Sequence, residues 1–288
     1  MQTALLSRKG TTMANVCVIT GGGSGIGLET AKCMPKDKIL VISGRTQAKL
    51  DKAVAELEAL GYEAYGVPCD VSVRRDVHEL AVISSLKGTI TNVIHVAGVS
   101  PSMADPETII RINALGTVYV NTEFRKYLKP GSVIVDVASN SAYALPDMPL
   151  IKGTYDLADE DEDKFVKRLL RGSVGRNDYE KSGLAYSFSK NFVVWYAQKC
   201  AFEYGPAGIR VCSVSPGLIE TGMGAAEKEA SAELGFTAKM IDQAAERRMG
   251  KPEELGFAIA TIADERNGYL AGVDVLVDGG STNGKQFR

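Results

Sequence analysis

The sequence predicts an α/β protein in which a doubly wound parallel sheet carries helices on both faces. Three observations point there. From Asn15 onward, short β-branched runs alternate with stretches of helical periodicity. The first run, "VCVIT" (Val16 to Thr20), is apolar along nearly its whole length, as in a strand covered on both faces. Parallel neighbours also require crossovers, and the intervening helical segments supply them.

Taken in order, "GIGLETAKCM" follows the first strand as a helix that must end at Pro35. "KILVIS" reads as the second strand. "TQAKLDKAVAELEAL" (Thr46 to Leu60) has apolar residues at helical spacing and stops at Gly61. "AYGVPCDVS", a helix through "RRDVHELAVISSL", and "NVIHVAG" continue the alternation, as do "SVIVDVAS", a helix carrying Tyr186, and "IRVCSVSPG". "VDVLVDGG" closes the sheet. Residues 15–288 thus read as one domain, with 1–14 a mobile extension in which Met13 is an alternative start. One segment, 141–182, breaks the rhythm. It is long, polar in its middle, and carries its own helical stretch, "DEDEDKFVKRLLRG".

With 288 residues, 45% of them apolar, the chain can bury one large core. A net charge of -2 and scattered Lys and Arg argue against a nucleic-acid partner. No run approaches the roughly 20 apolar residues that span a bilayer. The N-terminal stretch places its apolar residues before its basic ones, the reverse of a secretory signal. The five dispersed cysteines, mostly inside apolar runs, read as reduced buried thiols, and with two histidines in all no metal site is expected. The expectation is a cytoplasmic protein without membrane contact.

"TGGGSGIG" (Thr20 to Gly27) lies between the first strand and the first helix. Glycines there let a pyrophosphate approach a helix N-terminus, where free amides and the macrodipole favour anions. Tyr186 and Lys190 stand four residues apart and so share one helix face. The loop resembles the TGxxxGxG loop of classical short-chain dehydrogenases/reductases, and the Tyr–Lys pair resembles their YxxxK. The resemblance runs from Asn15 to Gly280. It implies a Rossmann-type fold and cofactor contacts from Thr20, Gly21, Gly23, Ser24, Gly25, Ile26 and Gly27. "CDVS" resembles the adenine-contacting turn, with Asp70 and Val71. "HVAG" stands where the family has NNAG, which leaves Ala97 and Gly98. "RINALGT" supplies Asn113, and "VIVDVAS" supplies Ser139. "SVSPGLIET" supplies Pro216, Gly217, Ile219 and Thr221 beside the nicotinamide.

The place after the second strand where an NAD-preferring member carries an Asp is Gly44, and Arg45 follows. A guanidinium can pair with a 2'-phosphate through two parallel hydrogen bonds, so NADP(H) is favoured over NAD(H). The alternative is that Arg45 stacks on adenine.

The resemblance implies hydride transfer between a nicotinamide and a ketone or secondary alcohol, with Asn113, Ser139, Tyr186 and Lys190 as the catalytic set. A phenol of pKa near 10 accepts protons poorly at neutral pH. A cation about 5 Å away, at an effective dielectric of 20, contributes roughly 3 kcal/mol, or about two pKa units. Lys190 is expected to provide that shift. Ser139 would donate to the substrate oxygen, and Asn113 would hold a water linking Lys190 to solvent. Tyr186 and Lys190 also count among the cofactor contacts.

The spacing from Ser139 to Tyr186 exceeds that of most classical members and resembles the layout of the 3α-hydroxysteroid dehydrogenase/carbonyl reductase branch. The insertion reads either as a lid or as a segment packed elsewhere on the surface. Asp159 to Asp163 is expected to be a solvated helix start. A second candidate lid is Leu218 to Arg248, with Met223 and Met240 as adaptable apolar contacts. An apolar carbonyl substrate, hydroxysteroid-like or other, and a homo-oligomer (dimer or tetramer) are expected. Two rival readings are a non-catalytic dinucleotide sensor, against which the complete catalytic set speaks, and an extended-branch epimerase, against which the glycine loop speaks.

Overall fold

The computed structural model describes residues 13–145, 153–230 and 236–284. Most of the expected N-terminal extension, residues 146–152 of the insertion and part of "AAEKEASAELGF" lie outside them. The elements in chain order are β1 (Asn15–Thr20), α1 (Gly25–Cys33), β2 (Lys38–Gly44), α2 (Gln47–Ala59), β3 (Glu63–Pro68), α3 (Arg74–Lys87) and β4 (Thr89–His95). Next come α4 (Pro106–Ile110), a π turn (Arg111–Leu115), α5 (Gly116–Arg125) and β5 (Val133–Val137). After them follow α6 (Leu157–Glu160), α7 (Glu162–Gly172), α8 (Asp178–Tyr204) and β6 (Arg210–Pro216). The chain continues through α9 (Gly222–Ala230), α10 (Phe236–Gln243), α11 (Pro252–Ile262) and β7 (Asp274–Val277).

The strands form one parallel sheet in the order β3-β2-β1-β4-β5-β6-β7. The order reverses direction between β1 and β4, so a crevice opens at their carboxyl ends, where ligands bind in such sheets. Val16, Cys17, Val18 and Ile19 are fully buried because both faces of β1 are covered. One core cluster lies under α3, α5, α7 and α8, and the other under α1, α2 and α11. No helix among the described residues is long and apolar enough to cross a membrane. Of the five free thiols, Cys33 alone is exposed.

The helix between β4 and β5 begins where Asp105 accepts from the amides of Glu107 and Thr108, with Pro106 at its first position. It loosens into a π turn around Asn113 before continuing as α5.

The insertion takes a course its composition did not announce. Its described middle packs on the flank of α8. Tyr155 is fully buried, edge-on to Phe192 at 5.2 Å, and its hydroxyl donates to Asn191 at 2.8 Å. Phe165 meets the same Phe192 at 4.9 Å. The acidic run is the solvent-facing helix start that was expected, with Asp161 as N-cap and Glu162 and Asp163 in the first turn of α7, and it carries specific partners as well. Asp159 accepts from Tyr196 and Lys199, Asp161 caps α7 through the Lys164 amide, and Glu162 accepts from Tyr119 and Arg74. Although the run is largely exposed, Asp159 and Glu162 give the buried Tyr196 and Tyr119 hydroxyls their acceptors.

Candidate active site

The crevice is a cavity of about 1190 Å³ that runs from the glycine loop to Met240. At one end, β1 passes into the loop. Gly21 has φ +70, and a Cβ on it would lie 2.9 Å from the Ala97 amide nitrogen, so only glycine lets the loop pass so close to the end of β4. A Cβ on Gly27 would meet the Gly21 carbonyl at 2.3 Å, which keeps α1 tight against the loop. The Ser24 side chain makes no capping bond, so its hydroxyl and the first amides of α1 face the cavity without an internal partner for the cap. Gly21, Ser24, Gly25, Ile26 and Gly27 line this end, and Ala97 and Gly98 stand opposite. Pro216, Gly217, Ile219 and Thr221 form the adjoining wall. The Thr221 methyl would touch a Cβ on Gly25 at 3.4 Å, which closes the wall onto the loop.

A smaller cavity of about 170 Å³ continues past the loop, lined by Gly23, Arg45, Asp70 and Val71. Asp70 is folded into a local turn, with Oδ1 accepting from the amide and hydroxyl of Ser72. Lys49 lines both cavities. Sequence reasoning missed it, although its position one helical turn after Arg45, at the start of α2, is a readable signal. A glycine cradle at a helix N-terminus, two cations beside it and an elongated continuous space fit a dinucleotide.

Thr20 and Asn113 do not line the cavity and act from behind its wall. Thr20 is fully buried, its hydroxyl 2.7 Å from His95 Nδ1 and accepting from the Ala97 amide. Burial and the neighbouring Lys190 push His95 down to about 3, so the ring is neutral. Asn113 clamps the far side of the same segment. Its Oδ1 accepts from the Val99 amide at 2.9 Å, and its Nδ2 donates to the Val99 carbonyl and to Ser189. A Cβ on Gly98 would sit 3.0 Å from Asn113 Oδ1 and 3.4 Å from Lys190 Nζ, so this glycine is the spacer between the two.

At the other end of the crevice, α8 presents Tyr186 and Lys190 one turn apart, and the exit from β5 presents Ser139. Ser139 is extended, with φ -171, and its hydroxyl caps the following turn by accepting from the Ser141 amide, close enough to Tyr186 to favour ionisation of that phenol. Lys190 is 5% exposed, and its ammonium donates to the Val137 carbonyl at 2.8 Å.

The expected acidification of Tyr186 by Lys190 is not what the electrostatics give. Burial raises the Tyr186 pKa, the Ser139 hydroxyl lowers it, and the Glu227 carboxylate raises it again. Lys190 lies 5.8 Å from the Tyr186 ring centre, and its hydrogen bond goes to the Val137 carbonyl. Desolvation brings the Lys190 pKa down to about 8, opposed by the attraction of Asp136. Asp136 is itself fully buried and held up to about 7 by desolvation, while Asn121 donates to both its oxygens. A cation stripped of water attracts a neighbouring phenolate only in competition with its nearer partners. Asp136 lies within the "VIVDVAS" run, and its charge, buried behind the cavity wall, acts on Lys190, a relation the run does not signal.

Residues 15–149 match the family model described as short chain dehydrogenase, and 169–282 match the one described as Enoyl-(Acyl carrier protein) reductase. A dehydrogenase/reductase SDR family member 4 of Oryctolagus cuniculus is 29% identical over 98% of this chain and 98% of its own length. A 3beta-hydroxysteroid dehydrogenase 2 of Eggerthella lenta is 27% identical over 91% of this chain and 93% of its own. Among solved structures, a variant of actinorhodin polyketide ketoreductase with NADPH superposes with a TM-score of 0.73 at 22% identity, covering 94% of this chain and 98% of that one. With the glycine cradle, the sheet order and the Tyr–Lys helix in place, these matches make the chain a member of the short-chain dehydrogenase/reductase family, an oxidoreductase of the CH–OH group on a fold that binds a nicotinamide dinucleotide.

Proposed function

We propose that the protein interconverts a ketone and a secondary alcohol, with Tyr186 as the group that exchanges the proton at the substrate oxygen. The observation that carries this is the meeting of Tyr186, Ser139 and Lys190 at one end of the cavity whose other end is the glycine cradle. When bound, the dinucleotide supplies or accepts the hydride. Ser139 and Tyr186, both at the cavity wall, offer two hydroxyl donors to one carbonyl oxygen, which stabilises the negative charge that develops there. Tyr186 then gives up its proton. Lys190 offsets part of the charge left on the phenolate and is kept cationic by Asp136. Asn113 holds Val99 and, through Gly98, the distance between that strand end and Lys190.

The remaining wall is apolar, with Val99, Pro101, Leu184, Leu218 and Met223 among its residues, which suits a hydrophobic, hydroxysteroid-like or similar carbonyl compound. The flanks of the insertion and α9 border this half, and we assign them the role of a lid. Unpaired thiols favour a cytoplasmic setting.

Tyr186→Phe is expected to lower kcat on a panel of apolar ketones by at least about 100-fold, with little change in the dissociation constant for NADP(H). Wild-type rates in that variant would remove Tyr186 from the proton transfer.

Lys190 is cationic below about 8 and neutral above it, so ketone reduction should fall as pH rises through that value. Asp136→Asn takes away the anion that raises the Lys190 pKa. The alkaline fall in kcat/KM should then move to lower pH, and an unmoved limb would show that Asp136 does not act on the site.

Arg45 and Lys49 at the adenosine end support NADP(H) over NAD(H). Replacing both by Ala should raise KM for NADPH about tenfold or more while altering that for NADH much less. Equal effects on the two cofactors would speak against a 2'-phosphate contact.

A homo-oligomer through the C-terminal segment is supported by the exposed Phe257 and Tyr269 and by the half-buried edge strand β7. Size-exclusion chromatography with light scattering should give a dimer or tetramer, and a monomer alone would refute this.

A further inference from the structure

The substrate half of the cavity carries a charge that the proton-transfer chemistry does not use. Among the described residues lining the cavity, the cations are Lys49 and Lys190 and the carboxylates are Glu180 and Glu227. Lys49 belongs to the dinucleotide end, since it also lines the smaller cavity, and Lys190 is buried beneath Tyr186. Glu180 is neutralised from outside by Arg176, which reaches it through Nε and Nη2. Glu227 is different. It projects from α9, its Oε1 accepts from the Tyr179 hydroxyl at the start of α8, and its Oε2 accepts from the Ser102 amide at 3.3 Å. Both donors are neutral, so the full negative charge stays at the cavity wall. It is close enough to Tyr186 to oppose ionisation of that phenol.

Three segments far apart in the chain therefore converge to hold one carboxylate in a mainly apolar wall. A carboxylate has about four acceptor positions, and two neutral donors leave capacity for a third. The residue is half-buried at the wall, so a cation or a hydroxyl nearby is attracted and an anion repelled.

Resting on the reading of the cleft as a ketone/alcohol site, we propose that Glu227 is a specificity-determining residue that accepts a hydrogen bond from a hydroxyl or ammonium group on the substrate, distal to its reacting carbonyl. The substrate class is then a neutral or cationic ketone with a donor group. Carboxylate-bearing ketones and phosphate-bearing acyl carriers are disfavoured. The second family match, described by its acyl-carrier chemistry, does not carry that substrate over, because the wall offers such a carrier a negative charge.

The test is a matched set of cyclohexanones carrying hydrogen, hydroxyl, dimethylammonium or carboxylate at the far ring position. Wild type, Glu227→Gln and Glu227→Lys are compared by kcat/KM, and by calorimetric dissociation constants for the same ketones on the enzyme–NADP(H) complex. Wild type is expected to favour the ammonium and hydroxyl ketones over the unsubstituted one, and to discriminate against the carboxylate, each by roughly tenfold. Glu227→Gln should collapse the ammonium-to-carboxylate ratio toward unity, and Glu227→Lys should invert it. A lid defect alone would lower all four ketones together and leave the ratio in place. Turnover in unchanged ratios across the three proteins overturns the assignment of Glu227 and leaves the oxidoreductase reading standing. Absence of turnover on every ketone, with cofactor still bound, overturns both.

Discussion

The site depends on a buried ammonium that has to remain charged. Lys190 sits on α8 beneath Tyr186 with almost no access to water, and desolvation works against its proton. Two features of β5 offset that cost. The Val137 carbonyl accepts from Nζ at 2.8 Å, and the Asp136 carboxylate lies within electrostatic reach. The same strand end then delivers Ser139 to the substrate oxygen. One strand exit thereby anchors the cation, sets its protonation and supplies a donor, and the helix that brings Lys190 brings Tyr186 one turn earlier. If the two elements shifted apart, the charge would be left without a partner.

Around that contact, the crevice divides by charge and polarity. The dinucleotide half is built from backbone: a glycine turn, a helix N-terminus and the end of β4 held in place by Thr20 and Asn113. Close approach is its requirement, and side chains are excluded where a Cβ would strike the neighbouring strand. The substrate half is built from side chains contributed by α8, α9 and the segment after β4, and its character is apolar with one held carboxylate. The insertion serves mainly the flank of α8, where Tyr155 and Phe165 pack around Phe192 and the acidic run satisfies buried tyrosines and Lys199. Rigid packing behind α8 is one way to keep its catalytic face fixed.

Much of the site was legible because its signals are local. Tyr186 and Lys190 lie one helical turn apart, the glycine loop is contiguous, and both announce their geometry through spacing. Asn113 and Thr20 were found by motif but stand one layer behind the wall, which no spacing reveals. Asp136 was in plain view inside an apolar strand, yet its relation to Lys190 crosses 54 positions of sequence. Glu227 and Tyr179 gave no signal at all, since neither is part of a pattern and their meeting joins residues 48 apart. Tyr186 shows the same limit in its electrostatics: the neighbour at i+4 predicted a lowered pKa, and burial reversed the sign.

By itself, the sequence determined the alternation of strands and helices, the parallel sheet they require, and the order of the cofactor and catalytic motifs. Those properties follow from backbone sterics and hydrophobic periodicity, which act over a few residues. Only the tertiary structure decided which charges lose their water, which carbonyl holds the ammonium, which face the insertion covers and which carboxylate borders the substrate. Desolvation and long-range contact depend on what the rest of the chain brings near, and no short window of residues contains that information.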